Sequence, residues 1–572
     1  MSSLTRHQLR LVTTVVFASL LTGISGLGHA WEVGALSCRT LVIASSQEKF
    51  ALMKEFERAY NAAARSVAGS CVSVNVEQVN SGEAERALEA GWDSSLGARP
   101  DVWSPASTAW VALLEARSAG AALLITPGQS SSLFRSPLVI AMPLPMARAL
   151  GYPTRQIGWS EILALARNQL GWASVPAADP RWGAFKLGKT DPTISTSGLH
   201  ALLGTYFAAS GGNLTAQSIT DPKVRDFVAG IEATVVHYGQ TAKTFLTNLN
   251  VADDQGGALD YVSAIAVEEE ELISYNLGHY DSNRVAPAVP LVAIYPREGT
   301  PVADHPYVVL GSSRNQAAAA DFLEFLGEAK QQKRIQAEGF RSKGNQLAAD
   351  VVAGDPYVQP SPPEAVLDTN NGALLDAILG QWQQIRKHAR VLILVDVAGS
   401  DTPKAGIRWA VQPMIRAVGR FDAGGPGDPG DEVGLWTFPG TNSPYDASAF
   451  TTPPGALTST LSVLKASAAS ADLDAVVESA IGAMTASYEP SRIDAILLVT
   501  GSQGGLQSSD LRLERLLRNQ PADRFVRVFV VAPPSLGAAA RDRLTGIALA
   551  GRGALYEPTS IRTLLDDVVS NF

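Results

Sequence analysis

Short apolar runs alternate with amphipathic stretches from about residue 38 to residue 352. Apolar positions spaced three and four residues apart predict helices, and short continuous apolar runs predict buried strands. Trp110, Leu113 and Leu114 mark one such helix, and the run Thr40-Leu-Val-Ile-Ala44 marks one such strand. Regular alternation of strands and helices is typical of α/β folds with parallel sheets. We therefore expect an α/β module over residues 31–352.

A second α/β module is predicted after a proline-rich break. The break, Asp355-Pro-Tyr-Val-Gln-Pro-Ser-Pro-Pro363, has the composition of a linker. A helix around 374–385 follows, so that the linker and helix together occupy residues 353–387. Residues 388–572 then contain apolar runs separated by helical patterns, and strands are predicted at 390–396, 432–438, 494–500 and 525–532.

The first 30 residues have the pattern of an export signal. Arg6, His7 and Arg10 form a basic start, residues 11–27 are mostly apolar, and residues 28–30 suit a signal peptidase. Cleavage after residue 30 is one interpretation. The other is an uncleaved anchor, because the apolar stretch is nearly long enough to span a bilayer. Both predict export of the remaining chain, to the periplasm, the cell surface or the medium.

The length and net charge of the chain restrict its domain organisation and its possible partners. A chain of 572 residues is too long for a single core. Its formal net charge of -9 disfavours nucleic acid as a partner. No apolar run of about 20 residues follows the N-terminal segment. Membrane contact is therefore expected only through that segment, if it is retained.

The two cysteines predict a structural disulfide. Cys38 and Cys71 each precede a predicted strand, and a helix lies between the strands. This order predicts a βαβ unit with parallel strands, so both sulfur atoms lie at the same end of the sheet. In an exported protein the two would be joined. Closing a loop of about 33 residues contributes roughly 3–4 kcal/mol in the chain-entropy model.

Hydroxyl side chains gather at three predicted strand-to-helix turns. Hydroxyls and free backbone N–H groups at helix starts bind polar or anionic ligand oxygens. We expect these residues to line one ligand cleft: Ser45, Ser46, Ser104, Ser107, Thr193, Ser195, Thr196 and Ser197. The alternative is that they only cap helices. Ser45-Ser-Gln-Glu48 has the form of a capping box, and Ser195 or Ser197 suits an N-cap.

The charged residues give little sign of catalysis. The chain has no His-Glu-x-x-His, no Gly-x-Ser-x-Gly and no Walker loop. The acidic run Glu268 to Glu271 lies on a predicted helix, where we expect a solvent-facing surface. We therefore assign no catalytic residue and predict a protein that is not an enzyme, with an extracellular hydrolase as the remaining alternative.

Three sequence segments resemble parts of the extracellular solute-binding proteins of ABC transporters. They are residues 99–107, residues 185–199, and Ile294-Tyr-Pro-Arg-Glu-Gly299 with Asp304-His-Pro-Tyr307. The resemblance implies a type II periplasmic-binding fold, in which the chain crosses twice between two lobes and a solute binds in the cleft. The crossings are expected near 136–143 and 286–296. The implied ligand is a small polar or anionic solute.

The second module resembles a von Willebrand factor A (VWA) domain. Its first strand runs into Asp396-Val-Ala-Gly-Ser400, where family members hold a divalent cation with Asp-x-Ser-x-Ser. The middle serine is Ala398 here, and Gly501 stands where a later loop normally gives a carboxylate. Asp396 and Ser400 remain as metal ligands, and this set predicts weak Mg²⁺ binding or an empty site. No other cofactor is expected.

Together these patterns predict an α/β protein with two modules. A two-lobed periplasmic-binding-protein-like module precedes a doubly wound, Rossmann-like VWA domain at residues 388–572. We expect a non-enzymatic binding protein that takes a small solute between its lobes and a protein partner through the VWA domain. The alternative is a surface adhesion or assembly scaffold with no small ligand.

Overall fold

The computed structural model describes residues 38–556 with several gaps. The gaps are 119–124, 362, 364–365, 399–408, 410, 412–413, 416–417, 419–420, 422, 426–428, 442, 452–453, 468, 471, 502–510 and 522–523. The predicted export signal and Ser400 therefore lie outside the described residues. Within the described part of the chain, no helix is both long and apolar enough to cross a membrane.

Two sheets are built from the strands that precede residue 370. These strands are β1 Arg39–Ser45, β2 Ser66–Val67, β3 Ser70–Gln78, β4 Val102–Ser104, β5 Ile125–Ser132, β6 Ser136–Pro143, β7 Leu187–Thr190, β8 Val235–Gly239, β9 Ala264–Glu268, β10 Leu291–Ile294, β11 Thr300–Ala303, β12 Pro306–Leu310 and β13 Val366–Leu367. The first sheet has the order β2-β3-β1-β4-β12-β5. The second has the order β13-β11-β6-β9-β7-β8, with β10 paired to β6. Each sheet forms the centre of one lobe.

Helices pack on both sheets. They are α1 Phe50–Ala62, α2 Ser81–Ala90, α3 Thr108–Arg117, α4 Leu144–Ala149, α5 Trp159–Ala166, α6 Thr196–Ala209, α7 Pro222–Glu232, α8 Ala242–Asp254, α9 Ala258–Tyr261, α10 Glu269–Asn276, α11 Gln316–Gly327, α12 Ala329–Ala337 and α13 Ala349–Gly354. Several begin at side-chain caps. The carboxylate of Asp221 accepts from the N–H of Lys223 at the start of α7, where Pro222 occupies the first turn.

The predicted βαβ unit and disulfide are confirmed. Strands β1 and β3 are parallel neighbours joined through α1. Cys38 and Cys71 form a disulfide at the end of the sheet where these two strands begin. Since ligand sites in such sheets lie at the opposite, carboxyl edge, the bond stabilises the lobe away from any cleft.

The chain crosses between the lobes close to the first predicted position and away from the second. It passes from β5 to β6 through residues 133–135 and returns from β11 to β12 through residues 304–305. Residues 136–143 form β6, and 291–294 form β10 beside it, so both expected crossings are strands of the second lobe. The predicted return was wrong because an apolar run marks a buried strand and does not show which sheet the strand joins.

A helix after the proline-rich segment, α14 Gly372–Ile385, contacts both lobes. At its start, the guanidinium of Arg117 on α3 pairs with Asp376 at 2.8 Å. Near its end, the indole N–H of Trp382 donates to Glu232 of the second lobe at 3.1 Å. The buried side chains of Leu375, Ile378 and Trp382 belong to one apolar cluster with residues of both lobes. We refer to α14 as the strap helix.

A third sheet follows the strap helix. Its strands are β14 His388–Asp396, β15 Glu432–Phe438, β16 Asp446–Ala447, β17 Arg492–Val499, β18 Arg527–Val531 and β19 Leu555–Tyr556. The order is β16-β15-β14-β17-β18-β19, and all neighbours are parallel except the edge strand β16. Its helices include α15 Thr458–Ser462, α16 Leu473–Ala486, α17 Arg512–Arg518 and α18 Ala538–Ala550. Buried apolar clusters cover both faces of the sheet, as in other doubly wound sheets.

The four strands predicted in this region are present within two residues of their expected bounds. The third sheet also packs against the second lobe. The guanidinium of Arg527 lies 5.7 Å from the ring centre of Tyr261. The side-chain amide of Asn248 donates to the hydroxyl of Tyr556 at 3.3 Å.

The packing of the strap helix against α3 can be tested by substitution. A Cβ atom at Gly372 would lie 1.9 Å from the carbonyl oxygen of Ala112 on α3. Gly372→Ala should therefore displace the start of the helix and lower the free energy of unfolding by about 1–3 kcal/mol, as overpacking usually does. Urea unfolding followed by tryptophan fluorescence measures this change.

Gly380→Ala is the matched control on the same helix. A Cβ atom there meets nothing within 4 Å, so the substitution should stabilise by up to about 1 kcal/mol through helix propensity. Equal effects of the two substitutions would contradict the close contact with α3.

Candidate ligand-binding site

Turns from both lobes meet at one small cavity. Each turn follows the carboxyl end of a parallel strand, where ligand sites of such sheets lie. The first lobe supplies residues 46–48 and 80–81, and the second supplies 194–197, 240–242, Glu268 and Glu271. The cavity volume is about 20 Å³, which is close to the space that a single water molecule needs.

The lobes contact one another directly beside this cavity. The indole N–H of Trp110 donates to the hydroxyl of Thr196 at 2.8 Å. The N–H of Gly82 donates to the carbonyl of Ile194 at 3.0 Å. This approach depends on the absence of a side chain at Gly82, since a Cβ atom there would lie 2.0 Å from the carbonyl oxygen of Thr193. The lobes are therefore closed on each other.

The structure brings only part of the predicted hydroxyl set to the cavity. Four of the eight residues line it: Ser46, Ser195, Thr196 and Ser197. Thr193 instead lines a larger neighbouring cavity. The other three, Ser45, Ser104 and Ser107, are completely buried and do not line the cavity.

The three remaining serines have structural partners. Ser104 donates to the carbonyl of Pro306 at 2.9 Å, and Ser45 donates to the carbonyl of Ser46 at 3.3 Å. Ser107 caps α3 by accepting from the N–H of Ala109, and its hydroxyl lies 3.0 Å from Nε2 of His200 in the second lobe. The capping interpretation thus describes the contacts of Ser107. Ser195 occupies the N-cap position of α6 without a side-chain capping bond, and its hydroxyl accepts from Thr190.

The prediction for the acidic run was wrong. Glu268, Glu269, Glu270 and Glu271 are all buried, with at most 6% of each residue exposed. They follow the buried strand β9 and begin α10 at the lobe interface. Their place directly after an apolar strand was the available signal, because that edge of a parallel sheet is where functional side chains gather.

Glu269 is a structural member of this run. The guanidinium of Arg341 donates to both of its oxygens, at 2.6 and 2.7 Å, and the hydroxyl of Tyr295 donates to one of them. The backbone of Arg341 also pairs with that of Arg135, in the first crossing segment. Burial raises the pKa of Glu269, and the pairing with Arg341 opposes that rise. Through Arg341, Glu269 therefore holds the first crossing segment to the second lobe.

Glu268 belongs to a buried array that joins the lobes. Its Oε2 lies 3.0 Å from Nε2 of His305, in the second crossing, and Nδ1 of His305 lies 3.4 Å from the ammonium of Lys49 in the first lobe. Burial lowers the pKa of Lys49 to about 8, with the carboxylates of Glu48 and Glu268 acting in the opposite direction. Burial, and then the charge of Lys49, lower the pKa of His305 well below its usual value.

Glu270 and Glu271 are two further buried carboxyl groups whose pKa values are raised. Burial, and then the charge of Glu48, raise the pKa of Glu271 to about 8. Burial and the charge of Glu271 raise the pKa of Glu270 well above its usual value. Ser197 lies at hydrogen-bond distance from Glu271, at 3.5 Å, and Ser274 donates to Glu270. Among the described residues, no group of three or more His, Cys, Asp or Glu side chains is arranged to hold a metal ion.

A larger cavity of about 540 Å³ adjoins the first. Ile194 and Gln240 line both cavities. The larger cavity is bounded by both lobes, by the strap helix at Trp382 and by the third sheet at Ala389. The two cavities therefore lie on either side of Ile194 and Gln240.

The predicted metal loop has a different set of contacts. Asp396 ends β14 and is 4% exposed. Its carboxylate accepts from the hydroxyl of Thr500 at 2.6 Å and from the N–H of Ala398 at 2.9 Å. Ser400 lies outside the described residues, so the role of Asp396 and Ser400 as ligands of a weak or empty metal site stays a prediction.

Residues 41–341 match the family model for bacterial extracellular solute-binding proteins, which is more than half of the chain. The chain belongs to this family. Membership supports the binding of small solutes and a location in the periplasm or outside the cell. The resemblance expected from the sequence is thereby confirmed for the first module, including its two-lobed α/β fold.

Two uncharacterized proteins from two strains of Mycobacterium tuberculosis are similar over most of this solute-binding chain. Each is 24% identical over 480 residues, which are 80% of this chain. The chain spans about 65% of the length of these curated relatives.

Solved structures of solute-binding proteins are also similar. A periplasmic thiamin-binding protein is 12% identical, with a TM-score of 0.42, and the match covers 62% of this chain and 98% of that protein. The sulfate-binding protein of Mycobacterium tuberculosis is 19% identical, with a TM-score of 0.37 and coverage of 60% and 96%. A ferric-binding protein from Campylobacter jejuni is 13% identical, with a TM-score of 0.40 and coverage of 60% and 99%.

The buried carboxyl groups predict a dependence of stability on pH. The pKa of Glu271 is near 4.5 in the unfolded chain and about 8 in the fold, so between these values the folded state binds more protons than the unfolded state. The contribution of Glu271 to stability is therefore fully present below about pH 4.5 and is lost as the pH rises through about 8. The slope is at most about 1.4 kcal/mol per pH unit for each such group.

Thermal unfolding midpoints across this pH window measure the effect. Glu271→Gln cannot lose a proton and should flatten the decline in stability. Glu324→Gln, at an exposed position on α11, is the control and should leave the slope as it is. A slope that is the same in the native chain and the Glu271 variant would contradict the assignment.

Proposed function

We propose that this protein is an exported, non-enzymatic receptor that binds a small polar solute between its lobes and contacts a protein partner through a C-terminal VWA domain. The observation that carries the first part is the cavity where residues 46–48 of one lobe meet 194–197 and Glu271 of the other. Family membership supports the same role. The residues proposed to contact the solute are Ser46, Ser195, Thr196 and Ser197.

The proposal of a VWA domain is supported by the topology of the third sheet. Counted from β14, its parallel strands and antiparallel edge follow the order 3-2-1-4-5-6, which is a common doubly wound arrangement. Asp396 ends the first of these strands beside Thr500, which follows β17. This is the edge of the sheet at which such folds place their sites.

We propose that this domain works without a tightly bound cation. Both oxygens of Asp396 accept hydrogen bonds from Thr500 and Ala398, and Gly501 provides no side-chain ligand. Mg²⁺ is usually held by one or two carboxylates together with water and other oxygens. The proposed role of Asp396 is to hold the turn after β14, and the domain would contact its partner through its protein surface.

A scaffold without a small ligand is the second candidate. The observation that favours it is the strap helix, which pairs with Arg117 of one lobe and Glu232 of the other. Direct contacts between the lobes and a cavity of about 20 Å³ are in keeping with this alternative. In that case the closed lobes would serve as a rigid body for assembly.

Native mass spectrometry of the exported chain from its own host separates the two candidates. The receptor predicts a retained small molecule that is lost from a Ser195→Ala/Ser197→Ala double variant, because these hydroxyls line the cavity. Ser45→Ala is the control, since that hydroxyl is buried at the same edge and does not line it. A chain without any adduct, in native and variant forms alike, would favour the scaffold.

Substitution of Asp396 tests its proposed role in the VWA domain. Asp396→Ala removes the acceptor of a buried hydroxyl and should lower the free energy of unfolding by about 1–3 kcal/mol. Asp396→Asn keeps one acceptor oxygen and should lower the free energy of unfolding by a smaller amount. Thermal unfolding with and without Mg²⁺ gives both readouts, and the native midpoint should not respond to Mg²⁺. A Mg²⁺-dependent rise that disappears in Asp396→Asn would establish a functional metal site instead.

A further inference from the structure

The charge of the small cavity is one-sided. Its lining includes the carboxyl groups of Glu48, Glu268 and Glu271, and among the residues that the structure describes it includes no Lys, Arg or His. Lys49 lies nearby, where it donates to the hydroxyl of Ser46 and the carbonyl of Pro105 and pairs with Glu48 at 3.7 Å. The three carboxyl groups therefore outnumber the one buried ammonium group beside them. A sulfate, phosphate or carboxylate ligand would have to enter a buried space beside three carboxyl groups, which is electrostatically unfavourable.

A second observation, an unpaired side-chain oxygen, indicates what kind of ligand group would fit the cavity. Gln240 lines the cavity and is 3% exposed, and its Oε1 atom is buried without a hydrogen-bond partner among the described residues. Such an acceptor is costly unless a donor reaches it, because a buried and unsatisfied carbonyl oxygen loses its hydration. The carboxyl groups and this oxygen are all acceptors, so they are complemented by a group that carries several N–H donors.

The two helix N-termini near the cavity do not reverse its preference for a cationic group. The N-termini of α6 and α10 both face the region and carry partial positive charge. Glu268 stands at the N-cap of α10, and Glu271 lies in its first turn, so these carboxyl groups already offset that helix. At α6, the hydroxyl of Ser197 is directed to Glu271 at 3.5 Å.

We propose that the solute is an organic cation, bound with an ammonium or guanidinium group among Glu48, Glu268, Glu271 and the side-chain oxygen of Gln240. This rests on the proposed receptor function and names its substrate class. The cavity of about 20 Å³ suits a single ammonium group, which is close to a water molecule in size. The remainder of the solute lies in the adjoining cavity of about 540 Å³, which shares Ile194 and Gln240 with the first.

Three probes of equal carbon number test the sign of the charge. Putrescine carries an ammonium group at each end, 1,4-butanediol carries hydroxyls, and succinate consists of four carbons that end in carboxylates. Isothermal titration of the full exported chain, stripped of ligand by unfolding and refolding, should show binding of putrescine in preference to the other two. Native mass spectrometry of the chain from its host should show an adduct that contains a basic nitrogen.

Two neighbouring glutamates supply the matched variants. Glu271→Gln removes a carboxyl group that lines the cavity. Above about pH 8, where this carboxyl group is ionised, the substitution should weaken putrescine binding about tenfold or more, as expected for loss of a charge-assisted hydrogen bond. Glu270→Gln is equally buried but does not line the cavity, so the affinity should stay within about twofold. Circular dichroism of both variants shows whether each is folded before its affinity is interpreted.

Each remaining outcome overturns the inference in a distinguishable way. Tighter binding of succinate or butanediol, abolished by Ser195→Ala/Ser197→Ala, would leave the receptor function standing and refute the cationic solute. Putrescine binding that survives Glu271→Gln and is lost in Glu270→Gln would place the cation elsewhere. No binding of any probe, together with no adduct on the host-derived chain, would refute both the receptor and its substrate class.

Discussion

The closed arrangement of this protein depends on the burial of ionisable groups where its lobes meet. Lys49 of the first lobe, His305 of the crossing segment and Glu268 of the second lobe form a continuous array with no access to water. Each of these groups would be costly to bury alone, and the contacts among them reduce that cost. The three residues of this array come from three segments of the chain. A shift of the crossing at residues 304–305 would therefore separate His305 from Lys49 and Glu268. The turns around the cavity are positioned by the same segments, so the geometry of the candidate site follows from this array.

Much of the architecture could be predicted from the sequence because it rests on local patterns. The apolar runs of β1 and β14 mark buried strands whatever their partners are, and Cys38 and Cys71 were placed together by the order of strand, helix and strand. The crossings could not be placed in the same way. Residues 291–294 are apolar, and this property is shared by buried strands and by the segments that connect lobes. Their pairing with β6 depends on contacts between residues distant in the sequence.

The candidate site was predicted only in part, for a related reason. Hydroxyl residues at helix starts have two uses, and the sequence does not separate them. Ser107 caps a helix and meets the opposite lobe, whereas Ser197 lines the cavity. The acidic run was placed in solvent because four successive glutamates usually avoid burial. Glu269 is buried because Arg341, 72 positions later, reaches it with two hydrogen bonds, and no local pattern reveals that partner.

The strap helix has a kinetic consequence. Its first turns are packed on α3, and Trp382 near its end is bound to Glu232 and stacked edge-on against Tyr238. Any rigid-body separation of the lobes that changes the distance between α3 and Glu232 must detach one end of this helix. The barrier to opening therefore includes the loss of a buried indole contact in addition to the contacts across the cleft. Entry and release of a bound molecule would be gated by that detachment, and the third sheet, joined directly to the helix, would be displaced in the same event.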